Sequence, residues 1–422
     1  MTSFDPAFSD AWCHGDDPRR PDVRIEFGVA RAEVAHEAIN RLSAEQWASF
    51  ADVLDEARDA PEVFVDPLLP MRDAERIEFA ERAAAADLAV RLGLSENSVR
   101  SQAHDAATLR RRLPGLWARF REGEVNVANA RCAAELVRSL PADPQPGASV
   151  LDARFDALLC EIAGQAPARF RARARVLRER VHSVALAERT RAARETRGVW
   201  LENDIDGMAY LSMRLPADQA QLAFAHVDAA ARSIAEAPGE LRTLPQIRSD
   251  VAAALLSGEP GSGPRVTVAV TVPVLTLLGS SDEPATLDGY GPIDADTARR
   301  LAAHAPSFTR LLTHPVTSAL LDIDRAGYRP PADLKRWLEI TDQACAFPGC
   351  GRSARTSDLD HTVDHQYGGP TGAANLAHLC RNHHRLKHQT RWKVRAAHSP
   401  GRRQLAWTSP TGHERASDPP PF

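Results

Sequence analysis

Long apolar runs and cysteine are both scarce in this sequence. No uninterrupted apolar stretch among its 422 residues approaches the roughly 20 residues that a helix needs to cross a bilayer, and the first residues lack the basic and apolar regions of a secretory signal. Six cysteines are too few for a disulfide-built scaffold. The net charge of −4 excludes a chain-wide attraction to nucleic acid or anionic lipid. We therefore expect a soluble cytoplasmic protein with no membrane partner.

The sequence does contain enough apolar residues for two or three folded units. Hydrophobic residues make up 43% and charged residues 26%, which excludes disorder throughout the chain. An Ala-rich helical pattern over residues 29–257 predicts a large helical domain, after a flexible N-terminus at residues 1–28. Within it, Ser43 followed by Gln46 forms a capping-box signature, which predicts that a helix begins there.

A different pattern follows the Gly-, Ser- and Pro-rich break at residues 257–264. Alternating β-branched residues at 266–272 predict a strand, and weaker alternation at 318–328 predicts another. Between them we expect a helix over residues 295–304 with Asp294 as its cap. These elements predict a small mixed α/β connecting module at residues 265–340. Residues 399–422 are rich in Pro, Gly and Ser and are predicted to be a disordered tail.

Residues 85–102 have the spacing of a helix-turn-helix. Gly93 lies where the turn is needed and Val99 where a core side chain is needed, but Gln102 stands where another apolar residue is expected. A two-helix corner inside a bundle gives the same pattern and is the favoured interpretation. If the motif does bind DNA, Arg100 and residues 110–112 are its predicted phosphate contacts.

Cysteine and histidine occur as two close pairs near the C-terminal end. Cys345 with Cys350, and Cys380 with His383, are separated by 29 residues. Two pairs of this kind suit tetrahedral Zn²⁺, which would hold together two segments with little core of their own. Reduced structural cysteines are the alternative. We predict a structural Zn²⁺ site.

A second group of polar residues lies between and after these pairs. Asp360 falls in an alternating segment that predicts a strand, and residues 375–379 can return as its partner in a hairpin. The following helix places His384 and His388 on one face, since they are four residues apart. Asp360 and these two histidines are predicted to bind one catalytic divalent cation, while His361 points to the other side of its strand and is free to act as a base. Solvated histidines are the alternative.

These residues resemble the HNH endonuclease family, whose nuclease core has the ββα-metal fold. The resemblance covers residues 345–388 and implies that His361 is the general base, that Asn375 braces the loop and that Asp360 and His384 bind metal. His388 matches an additional metal-binding histidine of the nuclease-colicin branch, and His383 replaces a cysteine of the four-cysteine zinc version. The layout also resembles proteins of high-GC bacteria in which a helical region of unassigned role precedes a C-terminal HNH module.

A local basic surface accompanies this module. Residues 381–403 contain eight lysines and arginines and no acidic residue. The predicted nucleic-acid contacts are Arg381, Arg385, Lys387, Arg391 and Lys393.

The sequence thus predicts a mainly α protein with a large helical domain, a connecting module and a zinc-stabilised ββα-metal HNH module at residues 341–398. The predicted function is hydrolysis of phosphodiester bonds in double-stranded DNA with Mg²⁺, Mn²⁺, Ni²⁺ or Zn²⁺, and by resemblance the products carry a 5′-phosphate and a 3′-hydroxyl. Cutting both strands in one event would need a homodimer. Two alternatives stay open: a non-catalytic zinc-stabilised DNA-binding module with a helix-turn-helix-like regulatory region, and an interaction protein in which the helical region is the working part.

Overall fold

The computed structural model describes residues 21–141, 149–257, 270–287, 290–303, 330, 332–399 and 402–418. The fold is mainly α, with 60% helix and small antiparallel sheets in this part of the chain. The helices are α1 (Pro21–Asp59), α2 (Asp73–Leu92), α3 (Glu96–Arg112), α4 (Pro114–Glu122), α5 (Val127–Arg138), α6 (Val150–Cys160), α7 (Pro167–Val181), α8 (Leu186–Arg194), α9 (Ala217–Ala235), α10 (Leu244–Ser257), α11 (Val274–Leu277), α12 (Ala295–Ala303), α13 (Ala332–Asp342) and α14 (Arg381–Gln389). The strands are β1 (Gly198–Asn203), β2 (Ala209–Arg214), β3 (Val270–Thr271), β4 (Ala285–Leu287), β5 (Gly291–Ile293), β6 (Asp358–His361), β7 (Leu376–Leu379), β8 (Lys393–Ser399), β9 (Arg402–Thr408) and β10 (Glu414–Ala416).

Helix α1 runs without a break through the predicted capping box. The Ser43 hydroxyl donates a hydrogen bond to the carbonyl of Ile39 at 2.7 Å, so Ser43 does not cap a helix. The prediction of a helix start there was wrong, because a serine inside a helix can bond back to the preceding turn. Trp47, Phe50 and Leu54 are buried on one face of α1, as their spacing predicts.

Helices α2 and α3 form the predicted two-helix corner. Gly93 ends α2 in the left-handed region at φ +66°, and the Ser95 hydroxyl accepts a hydrogen bond from the amide of Ser98 at the start of α3. Arg112, predicted as one of the phosphate contacts, is instead buried. Its guanidinium donates two hydrogen bonds to Asp152, at 2.8 and 2.7 Å. Arg112 therefore holds α3 to α6 rather than facing a ligand.

The chain divides into two compact units, and their bounds differ from the predicted domains. One unit contains Met1–Ser183 and Ile323–Phe422, and the other contains Val184–Asp322. The predicted helical domain at residues 29–257 therefore spans parts of both units. The predicted helical domain also contains the antiparallel hairpin of β1 and β2, whose turn has Asp206 and Gly207 at positive φ. The segment predicted as the flexible N-terminus is helical from Pro21, and residues 1–20 lie outside the described residues.

The predicted connecting module at residues 265–340 overlaps only in part with the second unit, since residues from Ile323 onward belong to the first. Strands β3, β4 and β5 form an antiparallel sheet in that order. Asp294 caps α12, because its carboxylate accepts a hydrogen bond from the amide of Thr297 at 2.8 Å. Of the strand predicted at residues 266–272, Val270–Thr271 is described as β3, whereas the strand predicted at residues 318–328 lies outside the described residues.

The predicted disordered tail contains two strands in the described part of the chain. Strand β9 pairs with both β8 and β10, and the Trp407 side chain is completely buried. Its indole nitrogen donates a hydrogen bond to the carbonyl of Ala346 at 2.9 Å. The prediction was wrong because average composition concealed a short alternating segment, with buried Leu405 and Trp407, ahead of a turn at Gly412.

Within the first unit, one hydrophobic core joins the helices to the C-terminal residues. The same cluster of buried side chains includes Phe79 from α2, Val99 from α3, Leu386 from α14, and Trp392 and Trp407. Trp392 also donates a hydrogen bond from its indole nitrogen to the carbonyl of Ala83 at 3.3 Å. None of the described helices is long and apolar enough to cross a membrane.

Candidate functional site

The C-terminal residues form a hairpin with a helix packed against it. Strands β6 and β7 are antiparallel, with Asp360 opposite Ala377 and His361 opposite Leu376. Helix α14 begins directly after β7, with Cys380 at its N-cap position, and packs on both strands. The ββα arrangement brings residues from the hairpin and the helix together in two clusters.

The first cluster consists of the four predicted zinc ligands. The Sγ atoms of Cys345, Cys350 and Cys380 and a ring nitrogen of His383 all lie within 4.8 Å of one another. Nδ1 of His383 is 3.4 Å from Sγ of Cys345 and 3.3 Å from Sγ of Cys380. A tetrahedral zinc ion with ordinary Zn–S and Zn–N bonds separates such donors by about 3.5 Å. The donor set and its spacing fit a structural Zn²⁺, as the sequence predicted.

The turn between Cys345 and Cys350 orients this cluster. Gly349 adopts φ +74°, and the amide of Cys350 donates a hydrogen bond to the carbonyl of Phe347. The Phe347 ring stacks on the His383 imidazole with centroids 4.0 Å apart and planes 12° from parallel. The same short turn therefore supplies two ligands and fixes the plane of a third.

Hydrogen bonds within the cluster shift the pKa values of its members in both directions. The pKa of Cys380 lies well below its usual range, because hydrogen bonds from Cys345, Cys350 and His383 stabilise its thiolate. Burial lowers the pKa of His383, but hydrogen bonds with Cys350, Cys380 and Glu96 outweigh burial and raise this pKa to about 11. Hydrogen bonds with Cys350 and Cys380 raise the pKa of Cys345 well above its usual range, so Zn²⁺ must displace protons from Cys345 and His383 when it binds.

The second cluster brings Asp360, His384 and His388 together. Oδ1 of Asp360 is 3.4 Å from Nε2 of His384 and 3.3 Å from Nε2 of His388. Burial raises the pKa of Asp360, but hydrogen bonds from His384, His388 and Lys387 outweigh it, so this pKa lies well below its usual range. One carboxylate and two imidazoles at this spacing can hold a divalent cation and leave positions for water or phosphate.

Two further carboxylates lie near these histidines, and sequence reasoning did not identify them. Nδ1 of His384 bonds to Oδ2 of Asp358 at 2.9 Å, and Nδ1 of His388 lies 3.9 Å from Oδ2 of Asp364. The hydrogen bond with Asp358 leaves Nε2 of His384 directed at Asp360, whereas Asp364 lies too far from His388 for a hydrogen bond. A signal for Asp358 was present, because it lies two residues before Asp360 and so on the same face of β6.

Lys387 does not lie on the basic surface where the sequence placed it. Its side chain is 8% exposed, and Nζ donates hydrogen bonds to Oδ2 of Asp360 at 2.7 Å and to Oδ1 of Asp364 at 3.0 Å. A lysine side chain on a helix can direct its ammonium group into the protein when carboxylates surround that group. The prediction that Lys387 contacts nucleic acid was wrong, since its charge is satisfied inside the module.

His361 lies apart from the metal cluster, as its position on the strand predicts. Its Nε2 is 3.0 Å from the hydroxyl of Thr371, and its ring centroid is 5.8 Å from that of His365. Burial lowers the pKa of His361, and this effect outweighs the raising effect of Asp360. The imidazole is therefore predominantly neutral near pH 7, which is the form that accepts a proton.

Asn375 braces the loop between the two strands. Its side-chain amide donates hydrogen bonds to the carbonyls of Val363 and Pro370, both at 2.9 Å, and its carbonyl accepts one from the amide of Val363 at 2.9 Å. A Cβ on Gly369 would lie 1.8 Å from the carbonyl oxygen of Val363, so only glycine fits there. These contacts hold the segment that follows His361.

The remaining basic residues of the module are exposed. Arg381 has 77% of its side chain exposed and lies 3.4 Å from Asp358. Arg385 lies over the Phe79 ring at 4.8 Å, while Arg391 and Lys393 face solvent. Four of the five predicted nucleic-acid contacts are thus accessible to a phosphate backbone.

The first turn of α3 is engaged by the C-terminal module. Glu96 bonds to His383 through Oε1 and to Asn382 through Oε2, and its side chain is 17% exposed. In a helix-turn-helix this turn would enter the major groove. Its contacts with α14 argue against that use.

Comparisons with known proteins assign most of the chain to one family. The family model described as a domain of unknown function, DUF222, matches residues 51–342. The uncharacterised protein Rv3776 of Mycobacterium tuberculosis is 32% identical over 159 residues, which are 37% of this chain and 28% of that protein. The uncharacterised protein Rv2100 of the same species is 32% identical over 173 residues, 39% of this chain and 30% of that protein. The matched region covers less than a third of the length of each of these relatives. No solved structure matches the chain significantly.

Proposed function

We propose that this chain, which belongs to the DUF222 family, is a metal-dependent endonuclease of the HNH type that hydrolyses phosphodiester bonds in double-stranded DNA. The observation that carries the proposal is the convergence of Asp360, His384 and His388 on one point, with His361 as the next residue after Asp360 on strand β6. A module that only bound DNA would need no base beside an open metal site. The proposed products carry a 5′-phosphate and a 3′-hydroxyl.

The residues of the site divide the work of hydrolysis between them. His361 accepts a proton from the attacking water at its ring nitrogen, and Asn375 keeps the loop after His361 in one conformation. Asp358 holds His384 with Nε2 toward Asp360, and the carboxylate of Asp364 lies near His388. A divalent cation bound by these donors supplies positive charge for the scissile phosphate and the leaving oxygen.

DNA is the partner that the exposed charges favour. Arg381, Arg391 and Lys393 present positive charge on the same module, in a stretch with no acidic residue. Because the net charge of the chain is −4, this attraction is local and falls steeply with salt concentration. One centre per chain cuts one strand at a time, so a double-strand break in one event requires two copies.

A plasmid-nicking assay tests the proposal. The full chain is incubated with supercoiled DNA and Mg²⁺, Mn²⁺, Ni²⁺ or Zn²⁺. The variant His361→Ala is compared with His104→Ala, which changes an exposed histidine on α3, far from His361 in the sequence. We expect nicking to fall by at least about a hundredfold in His361→Ala, the usual contribution of a general base, and to persist in His104→Ala. Equal nicking by both variants, or none by the parent protein with any of the four metals, would contradict the proposal.

A further inference from the structure

The His383 imidazole joins two distant parts of the chain. Its Nδ1 faces the Sγ atoms of Cys345 and Cys380, and its Nε2 bonds to Oε1 of Glu96 in the first turn of α3. Glu96 lies within the residues that the family model matches, whereas the four predicted zinc ligands lie after them. A side chain of the helical region thus contacts a ligand of the C-terminal metal site.

The surroundings of Glu96 hold its carboxylate in place. Oε2 accepts a hydrogen bond from Nδ2 of Asn382 at 3.3 Å, and Nη2 of Arg82 donates one to the carbonyl of Asn382 at 3.3 Å. Phe347 stacks on the face of the His383 ring and fixes its plane. The carboxylate and the ring therefore face each other in a single geometry.

This geometry has a known chemical consequence. A histidine that binds zinc through one ring nitrogen commonly donates the N–H of the other to a carboxylate, which fixes the tautomer and increases the basicity of the ligand. Loss of such a partner typically weakens metal binding by about 10- to 100-fold. Glu96 accepts from Nε2 while Nδ1 faces the thiols, which is the arrangement this effect requires.

We propose that Glu96 is a positioning residue of the Zn²⁺ site, so that the helical region completes the metal centre of the C-terminal module. The inference rests on the zinc-binding part of the proposed function and does not depend on nuclease activity. It gives the helical region a physical role: zinc binding at residues 345–383 and docking of α3 on α14 are coupled, and each strengthens the other.

Zinc affinity of the full chain tests this inference. Apparent dissociation constants are measured by competition with a chromophoric chelator for Glu96→Gln and for Glu75→Gln. Glu75 is a matched control because it also reaches from the helical region to α14, where Oε1 lies 3.5 Å from Nη2 of Arg385, but it touches no zinc ligand. We expect about tenfold weaker binding in Glu96→Gln and unchanged binding in Glu75→Gln. A Glu96→Gln affinity within twofold of the parent protein would overturn the inference.

A double-mutant cycle separates positioning from a general loss of packing. His383→Cys replaces the imidazole with a thiolate, which has no second nitrogen for Glu96 to orient. In the His383→Cys background we expect Glu96→Gln to leave zinc affinity unchanged or to strengthen it, because a carboxylate repels a thiolate. The same tenfold loss in both backgrounds would show that Glu96 acts only on the fold and would overturn the inference. Neither measurement uses DNA cleavage, so the nuclease proposal can fail while this one stands.

Discussion

The ammonium group of Lys387 lies among carboxylates at the second metal cluster. The ammonium group donates a hydrogen bond to Oδ2 of Asp360, while Oδ1 faces the two histidines. Its positive charge therefore offsets the negative charge with which Asp360 attracts a cation. We expect Lys387→Met to tighten Mn²⁺ binding by about tenfold, because a positive charge near the ion is removed. Titration calorimetry with Mn²⁺ measures this, with Lys393→Met, which changes an exposed lysine of the same module, as the control. Weaker binding in Lys387→Met would mean that the lysine is needed to hold Asp360 in position.

The pH dependence of cleavage follows from His361. Its neutral form is the base, so activity is present above its pKa and is lost as the pH falls through that pKa. Burial places this pKa below its ordinary value of 6.5, and a cation near Asp360 pushes it the same way. We expect the acid limb of single-turnover cleavage, at saturating metal, to have its midpoint below pH 6.5. A flat acid limb, or a midpoint above pH 7, would contradict the role of His361.

Among the structural elements, the loop between β6 and β7 depends on one glycine. A methyl group at Gly369 would overlap the Val363 carbonyl and would displace Nδ2 of Asn375, which lies 2.8 Å from the same position. We expect Gly369→Ala to reduce cleavage by at least about tenfold, because it displaces the loop that follows His361. The zinc cluster lies outside this loop, so zinc affinity is the control and is expected to stay unchanged. Full activity in Gly369→Ala would show that the loop is not needed in one conformation.

For the molecule as a whole, the core of the first unit couples the four predicted zinc ligands to the stability of the helices that share this core. Trp392 packs in the same core as the helices and bonds to the Ala83 carbonyl of α2. We therefore expect Cys350→Ser to lower the melting temperature and to increase amide hydrogen exchange in both α14 and α2. Cys160→Ser makes the same chemical change on α6, away from the cluster, and is expected to leave α14 protected. Exchange confined to residues 345–389 in Cys350→Ser would show that the module unfolds by itself.

Local rules predicted much of the architecture and the ligand sets. Periodicity predicted the helices, spacing predicted the close pairs of donor side chains in the two clusters, and alternation placed His361 and Asp360 on opposite sides of β6. These features depend on residues within one or two turns of each other. The Arg112 and Lys387 predictions were wrong because both rest on exposure, which depends on what packs over a side chain.

The sequence by itself determined which donor atoms are available and how each pair is spaced, because a tight turn or one helix face fixes short separations whatever surrounds them. Only the tertiary structure decided that Glu96 meets His383, 287 residues away, and that residues near Trp407 complete the core instead of forming a tail. Contacts across such distances arise from burial of apolar surface shared by many elements, and no local pattern specifies which of them will meet.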